Sequence, residues 1–227
     1  MKIIAITLMY NRWELTEKAL NSMYQQDRHP DYHYLIDNGS SDNSKQNCFT
    51  LVGNFMDAGV KTDFKFINLL ENVGISKAFH RAVSNASDIF KDQSENVIIL
   101  KFDNDVEFIS ENTLSSVEDF YHLNGMNYAV APRDTTIDFK YSPKELKRPK
   151  IVGKDRREKF TATTHVGGAS LFLPIKAALE LADNNTVGDV NRGSLLRRKG
   201  YEVGYLDYLG IRHIGLEQST PADEYIF

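Results

Sequence analysis

The sequence predicts an α/β domain built on a mostly parallel sheet, and three observations carry this. Apolar runs of strand length alternate with segments of helical period. Polar clusters follow three of the strand-like runs, at residues 7–12, 37–42 and 103–105. In open α/β sheets, ligands bind beyond the carboxyl ends of the strands. The 227 residues are 41% hydrophobic and 26% charged. That is the make-up of a globular chain long enough for one large domain or two small ones.

Lys2–Met9 reads as a buried strand. The run is too brief for a signal peptide and no small-residue cleavage site follows it. Asn11, with Glu14 three residues later, resembles a capping box. Leu15, Ala19, Leu20 and Met23 give the helix after it one apolar face, to about residue 26. His33–Ile36 is a second strand, stopped by the turn chemistry of Asp37-Asn38-Gly39-Ser40-Ser41-Asp42. A helix over 43–58, a strand over 63–67, a turn at 72–74 and a helix over 75–90 follow. Val97–Phe102 is a central strand that ends at Asp103.

The second half is less regular. Residues 110–123 read as helix and 128–131 as strand. Segment 144–159 follows Pro143 and contains Pro149, and it is expected as a long loop. Val166–Leu173 reads as a strand broken by Gly167-Gly168. Helices are expected over Ile175–Leu181 and Asp189–Lys199, then a last strand over Tyr201–Leu206 with His213 beyond it. There are no internal repeats and no low-complexity segments.

Charge is unevenly spread. Segment 144–159 holds eight Lys/Arg against three Asp/Glu, a local +5 in a chain of net charge -4. It reads either as a solvated loop or as a contact surface for an anionic acceptor, a phosphate or a membrane face. The single cysteine, Cys48, rules out an internal disulfide, fits a reducing compartment, and is expected to be a packing residue. No run approaches the roughly 18 apolar residues of a membrane span. A cytoplasmic location is expected, with peripheral membrane contact left open.

The chemistry concentrates at Asp103-Asn104-Asp105. Two carboxylates that close repel each other unless a cation joins them, and hard oxygen ligands suit Mg²⁺ or Mn²⁺. The competing reading is a solvated turn with a helix cap. No Gly-x-Gly-x-x-Gly follows a strand and no Walker-type loop occurs, which argues against a dinucleotide dehydrogenase or a P-loop enzyme. No Cys/His grouping suggests structural zinc.

In this order the clusters resemble family 2 glycosyltransferases. The likeness runs through Thr7-Leu8-Met9-Tyr10-Asn11-Arg12, Asp37 to Asp42, Asn72-Val73-Gly74 with Lys77-Ala78, and Asp103-Asn104-Asp105. It continues through Gly167-Gly168-Ala169, Asp189, Gly200-Tyr201 and His213. The resemblance implies a GT-A fold: a mostly parallel sheet flanked by helices, with a small antiparallel part on the acceptor side. It implies one domain, with 1–107 binding the nucleotide sugar and 108–227 the acceptor. The donor would be a nucleotide-diphosphate sugar, with UDP expected as the nucleotide. Thr7, Tyr10 and Arg12 would sit by the nucleotide, Asp37 by the base or ribose, and Asn72 and Lys77 near the nucleotide or diphosphate. Asp103, with Asn104, would meet the donor ribose or sugar. Asp105 and His213 would ligate Mn²⁺ or Mg²⁺, Gly167 and Gly168 would lie on the acceptor side, and Asp189 would be the general base. Two positions depart from the family pattern: Gly188 stands where Glu is usual, and His80 where Asn is frequent. The chain ends 14 residues after His213, so it is expected to lack the C-terminal membrane helices of many relatives.

Two other functions compete. A nucleotidyltransferase would carry a glycine-rich loop with a basic residue after the first strand, and residues 7–12 contain no glycine. A catalytically weak sugar-nucleotide-binding module would fit the Gly188 departure but not the intact carboxylate clusters. Segment 144–159 suggests a polyanionic acceptor, such as a phosphate-bearing glycan or a modified nucleic acid.

Overall fold

The first strand, β1 (Lys2–Met9), lies inside one mixed sheet, with parallel neighbours on both sides. Its residues alternate between two cores. Ile4, Ile6 and Leu8 face one layer of helices, while Ile3, Ala5 and Met9 face the other. A strand covered on both faces needs no polar side, which is why its sequence is an unbroken apolar run. The structure is a computed structural model describing residues 1–90, 96–136 and 143–215.

The chain continues through α1 (Trp13–Tyr24), β2 (Tyr32–Asp37), α2 (Ser44–Asp57), β3 (Asp63–Asn68), α3 (Ile75–Ile89), β4 (Val97–Asp103) and β5 (Val106–Phe108). Then come α4 (Thr113–Asn124), β6 (Tyr128–Asp134), β7 (Lys150–Ile151), β8 (Lys159–Ala162), β9 (Ser170–Pro174), α5 (Ile175–Asp183), α6 (Asp189–Arg198) and β10 (Glu202–His213). The sheet order is β3-β2-β1-β4-β9-β6-β10-β8-β7, with β5 paired to β10. Strands β3, β2, β1 and β4 are mutually parallel, as are β6 and β10. The antiparallel pairs involve β9, β8, β7 and β5. Helices α3, α5 and α6 cover one face through Phe79, Ala82, Val83, Ala178, Leu181 and Leu196. Helices α1 and α4 cover the other through Ala19, Met23, Leu114, Val117 and Phe120. Helix α2 closes a smaller core with Cys48, Leu51 and Val52.

Cys48 is fully buried, and burial pushes its thiol up to about 12, so it packs rather than reacts. No helix among the described residues is long and apolar enough to cross a membrane.

Four expectations are corrected. Asn11 and Glu14 form no capping box. Arg12 is the N-cap of α1, with no side-chain cap bond, and Asn11 is drawn to a turn 30 residues away. Segment 144–159 is not a plain loop: it carries β7, leads into β8, and bridges Glu145 to Thr163. Gly167 and Gly168 precede a strand that starts only at Ser170. The last strand does not stop at Leu206. Its register against β6 shifts between Leu206 and Gly210, and it runs on through His213.

Candidate active site

Because β2, β1 and β4 are parallel neighbours, the three polar clusters leave the sheet at one edge. Met9 pairs with Asp37, and Leu8 with Asp103. Strand β9 runs antiparallel to β4, so the residues before it return to that edge, where the Asp103 N–H donates to the Ala169 carbonyl at 2.8 Å. Strands β6 and β10 also end there, in Asp134 and His213.

The register shift in β10 has a chemical consequence. Beyond it the strand pairs with β5 as well, setting His213 opposite Val106. The Ile214 N–H donates to the Asp105 carbonyl at 2.8 Å. His213 thus stands beside Asp105, and Arg12 reaches the same carboxylate, Nη1 to Oδ2, at 3.5 Å. Asp105 is largely buried. Burial first, and the Asp103 charge second, raise its pKa against the pull of His213 and Arg12.

Arg12 is aimed by strained backbone. Asn11 and Arg12 take φ of 55° and 60°, which costs a non-glycine residue roughly 1–3 kcal/mol. Two contacts lock the bend: the Asn11 N–H donates to Ser40 Oγ at 2.9 Å, and Asn11 Oδ1 accepts the Ser41 N–H at 2.9 Å. The cluster after β1 is thereby tied to the cluster after β2. Asp37 is buried and accepts the Ser40 N–H at 3.1 Å. Asn38 joins this edge to Asn72, Nδ2 to Oδ1 at 2.8 Å, and accepts the Val73 N–H. Lys77 is exposed in the first turn of α3, and Tyr10 is exposed beyond β1.

Two expected contacts point inward. Thr7 is fully buried, its hydroxyl hydrogen-bonded to His33 Nε2 at 2.9 Å, and His33 Nδ1 bonds Tyr24. Burial brings the His33 pKa down to about 3, so this is a neutral network inside the fold. Asn104 donates to Thr16 Oγ1 at 2.9 Å and fixes the turn between the two aspartates.

Asp189 is the first residue of α6. Gly188 is the N-cap, so Asp189 stands one residue inside the helix rather than at the cap. Gly188 has φ 78° and ψ 149°, a region in which a side chain is strongly disfavoured. The backbone thus accounts for the Glu-to-Gly departure. Gly168 lies against the start of this helix: a Cβ there would sit 2.7 Å from Asp189 Oδ1 and 2.6 Å from Arg192 Nη1. Gly167, beside it, donates its N–H to the Tyr205 hydroxyl at 3.0 Å. Gly168, with Gly193 of α6 itself, whose added Cβ would lie 2.5 Å from the Thr164 carbonyl, lets α6 pack this closely.

Three polar residues at this edge were not singled out from the sequence. Lys101 is 3% exposed; its ammonium bonds the Asp103 carboxylate and the Gly168 carbonyl. A lysine inside an apolar strand, two residues before Asp103, was the signal. Arg192 pairs with Asp189 at 3.4 Å across one helical turn, a spacing visible in the sequence. Its Nε is buried with no hydrogen-bond partner among the described residues. Arg192, Lys101 and His80 line one cavity with Ile75, Ser76 and Phe79. Burial, then the Arg192 charge, lower the pKa of His80.

The third residue is Asp134, whose carboxylate bonds His213 Nδ1. Burial alone would lower the His213 pKa. The Asp134 hydrogen bond and the charges of Asp134, Asp105 and Asp103 outweigh it, and the pKa is raised. Nothing in the sequence paired residue 134 with residue 213. A carboxylate on one ring nitrogen fixes the imidazole and leaves the other nitrogen for a ligand. Replacing Asp134 with Asn should weaken Mn²⁺ binding about 10–100-fold, read by calorimetric titration. Unchanged affinity would count against His213 as a metal ligand.

Among the described residues, no three His, Cys, Asp or Glu gather as a complete metal cage. The donor set instead suits an ion that completes its shell with substrate oxygens. Mg²⁺ in particular is usually held by one or two protein carboxylates plus substrate phosphates.

Solved structures share the architecture. A mannosyltransferase from Pyrobaculum calidifontis, in complex with GDP-Man and Mn²⁺, superposes with a TM-score of 0.65 at 17% identity over 94% of this chain and 56% of its own. TarS 1-349 of S. aureus gives 0.61 at 18% identity, both with UDP (93% of this chain, 60% of its own) and with UDP-GlcNAc (93% and 58%). The chain therefore spans under two thirds of the length of these structures, and its fold is the GT-A fold. A search of curated proteins finds no match. The family model described as glycosyl transferase family 2 matches residues 4–181, and the chain belongs to that family.

Proposed function

We propose that the chain is an inverting glycosyltransferase, moving a sugar from a nucleoside-diphosphate donor to an acceptor hydroxyl. The observation that carries this reading is the meeting of Asp105, His213 and Arg12 at one sheet edge, beside Asp103 and within the sweep of α6 that bears Asp189. Residues 1–107 hold the donor and 108–227 the acceptor. Tyr10, Arg12 and Asp37 flank the nucleotide, with UDP the expected one, and Thr7 supports them from the interior. Asn72 and Lys77 lie toward the diphosphate. Asp103, oriented by Lys101, meets the ribose or sugar, and Asn104 holds the turn that separates it from Asp105.

Mn²⁺ or Mg²⁺ would be held by Asp105 and His213. When bound, such an ion stabilises the negative charge that develops on the departing diphosphate. The protein's own residues do the rest. Asp189 accepts the acceptor hydroxyl proton as the oxygen attacks the anomeric carbon. The bond from that carbon to the diphosphate oxygen breaks, its electrons leave with the nucleoside diphosphate, and the configuration inverts. Asp189 is available for this role because it faces Gly168 at the sheet edge and, among the described residues, makes no cap bond. The acceptor carries negative charge and approaches along the basic segment 144–159.

A thermal-shift screen of nucleotide sugars with and without Mn²⁺ tests the reading. A donor at a hundred times its Kd stabilises by about 2.7 kcal/mol, roughly 5–10 °C for a chain of this size. The shift should require Mn²⁺ and should shrink on acidification. A protonated His213 cannot ligate, and its pKa lies above the ordinary histidine value. No shift with any nucleotide sugar would sink the proposal.

A further inference from the structure

We propose that the outer edge of the sheet, residues 144–159, docks on an anionic lipid surface. The segment lies along β8. The Leu146 N–H donates to the Ala162 carbonyl, Lys150 and Ile151 pair with Phe160 and Lys159, and a loop from Val152 to Glu158 closes the hairpin, its ends joined by the Val152 N–H to the Glu158 carbonyl. This is an edge of the sheet, and its side chains alternate: Val152 enters the core while Leu146 and Ile151 stay exposed.

Two features coincide there. Lys144, Lys147, Arg148, Lys154, Arg156 and Lys159 are exposed, and their side chains have no partner among the described residues. Arg157 is paired with Asp155, and Lys150 is spent on Glu202 and the Tyr128 ring. The remaining acidic groups are few: Glu158 turns inward to the Asp155 N–H, leaving Glu145 as the exposed counter-charge. Between the free cations, Leu146 is 45% and Ile151 56% exposed.

A row of lysines alone would be ordinary edge protection against strand pairing. Exposed Leu and Ile on the same edge do the opposite, since they invite association. Cations flanking protruding apolar side chains match the boundary of an anionic bilayer, where the charges meet headgroups and the apolar groups enter the acyl region. A soluble polyanion would use the cations and leave Leu146 and Ile151 in water. The inference deepens the reading of an anionic acceptor, because a transferase docked this way meets its acceptor at the surface. It is tested without donor, metal or acceptor, so it can fail while the transferase reading stands.

The experiment is co-sedimentation of the full chain with phosphatidylserine–phosphatidylcholine vesicles and with pure phosphatidylcholine vesicles. Binding should be confined to the anionic vesicles and fall with salt. Neutralising three free cations (Lys147→Gln, Arg148→Gln, Arg156→Gln) should weaken it on the order of a hundredfold. Leu146→Ser with Ile151→Ser should weaken it on the order of tenfold. Unchanged melting temperatures confirm that the variants fold. Failure to bind anionic vesicles would overturn the proposal. So would binding to vesicles and to soluble polyphosphate that is equally lost in the triple variant and indifferent to the Leu146/Ile151 pair, because the surface would then recognise charge alone.

Discussion

Asp105→Asn is expected to raise the melting temperature of the metal-free protein while lowering transfer on the order of a thousandfold. Both effects come from one carboxylate. Burial and the Asp103 charge hold the Asp105 pKa above its unfolded value. A carboxylate raised in this way costs folded-state stability once it ionises: the cost is absent below the unfolded pKa and complete above the folded one. At neutral pH the amide removes that cost and keeps the shape. Arg12 loses a partner at 3.5 Å, but its side chain is 43% exposed and resolvates cheaply. In the proposed site Asp105 is the anionic ligand of the metal, so the variant would forfeit the several kcal/mol of charge stabilisation that a bound cation supplies to a leaving diphosphate. The Mn²⁺-dependent thermal shift should vanish in the same variant. A lower melting temperature in EDTA would show that Asp105 is a structural partner of Arg12, and unimpaired transfer would remove it from the site.

The same charge logic separates what was legible in the sequence from what was not. Strands β1 and β4 stood out because burial on both faces writes an apolar run, and Asp103 and Asp105 stood out because two close charges at the end of a buried strand need a reason. β5 and β7 were hidden, since three and two residues carry no readable period. Asn11 was misread through a local rule: its side chain could cap a helix, but the turn at Ser41 offered it two backbone N–H groups at a distance in sequence. His213 was legible only through the family pattern. Its mooring depends on the register shift in β10 that swings it to Asp105, and on Asp134 from a different strand. Lys101 and Arg192 were within reach of spacing alone, at two residues before Asp103 and three after Asp189.

Asp189→Asn should leave the fold and the donor site intact and lower kcat about 10²–10⁴-fold, the usual worth of a positioned general base. Structurally the change is small. Asp189 caps no helix, its partner Arg192 sits 3.4 Å away, and losing a carboxylate from a first helical turn costs about 0.3–1 kcal/mol. Calorimetric Kd values for UDP-sugar and Mn²⁺ should therefore match the unmodified chain, in contrast with Asp105→Asn, where metal binding itself is lost. Gly168→Ala supplies an independent arm. Its added methyl would lie 2.7 Å from the Asp189 carboxylate and 2.6 Å from Arg192, so it displaces the carboxylate proposed as the base without changing its chemistry. It should reduce kcat while sparing donor affinity, because placement is worth orders of magnitude when a reacting group shifts by an ångström. A fall in kcat for both variants at constant donor Kd assigns proton removal to Asp189. Full turnover in Asp189→Asn would return the residue to a partner of Arg192 and send the search for the base elsewhere along the same sheet edge.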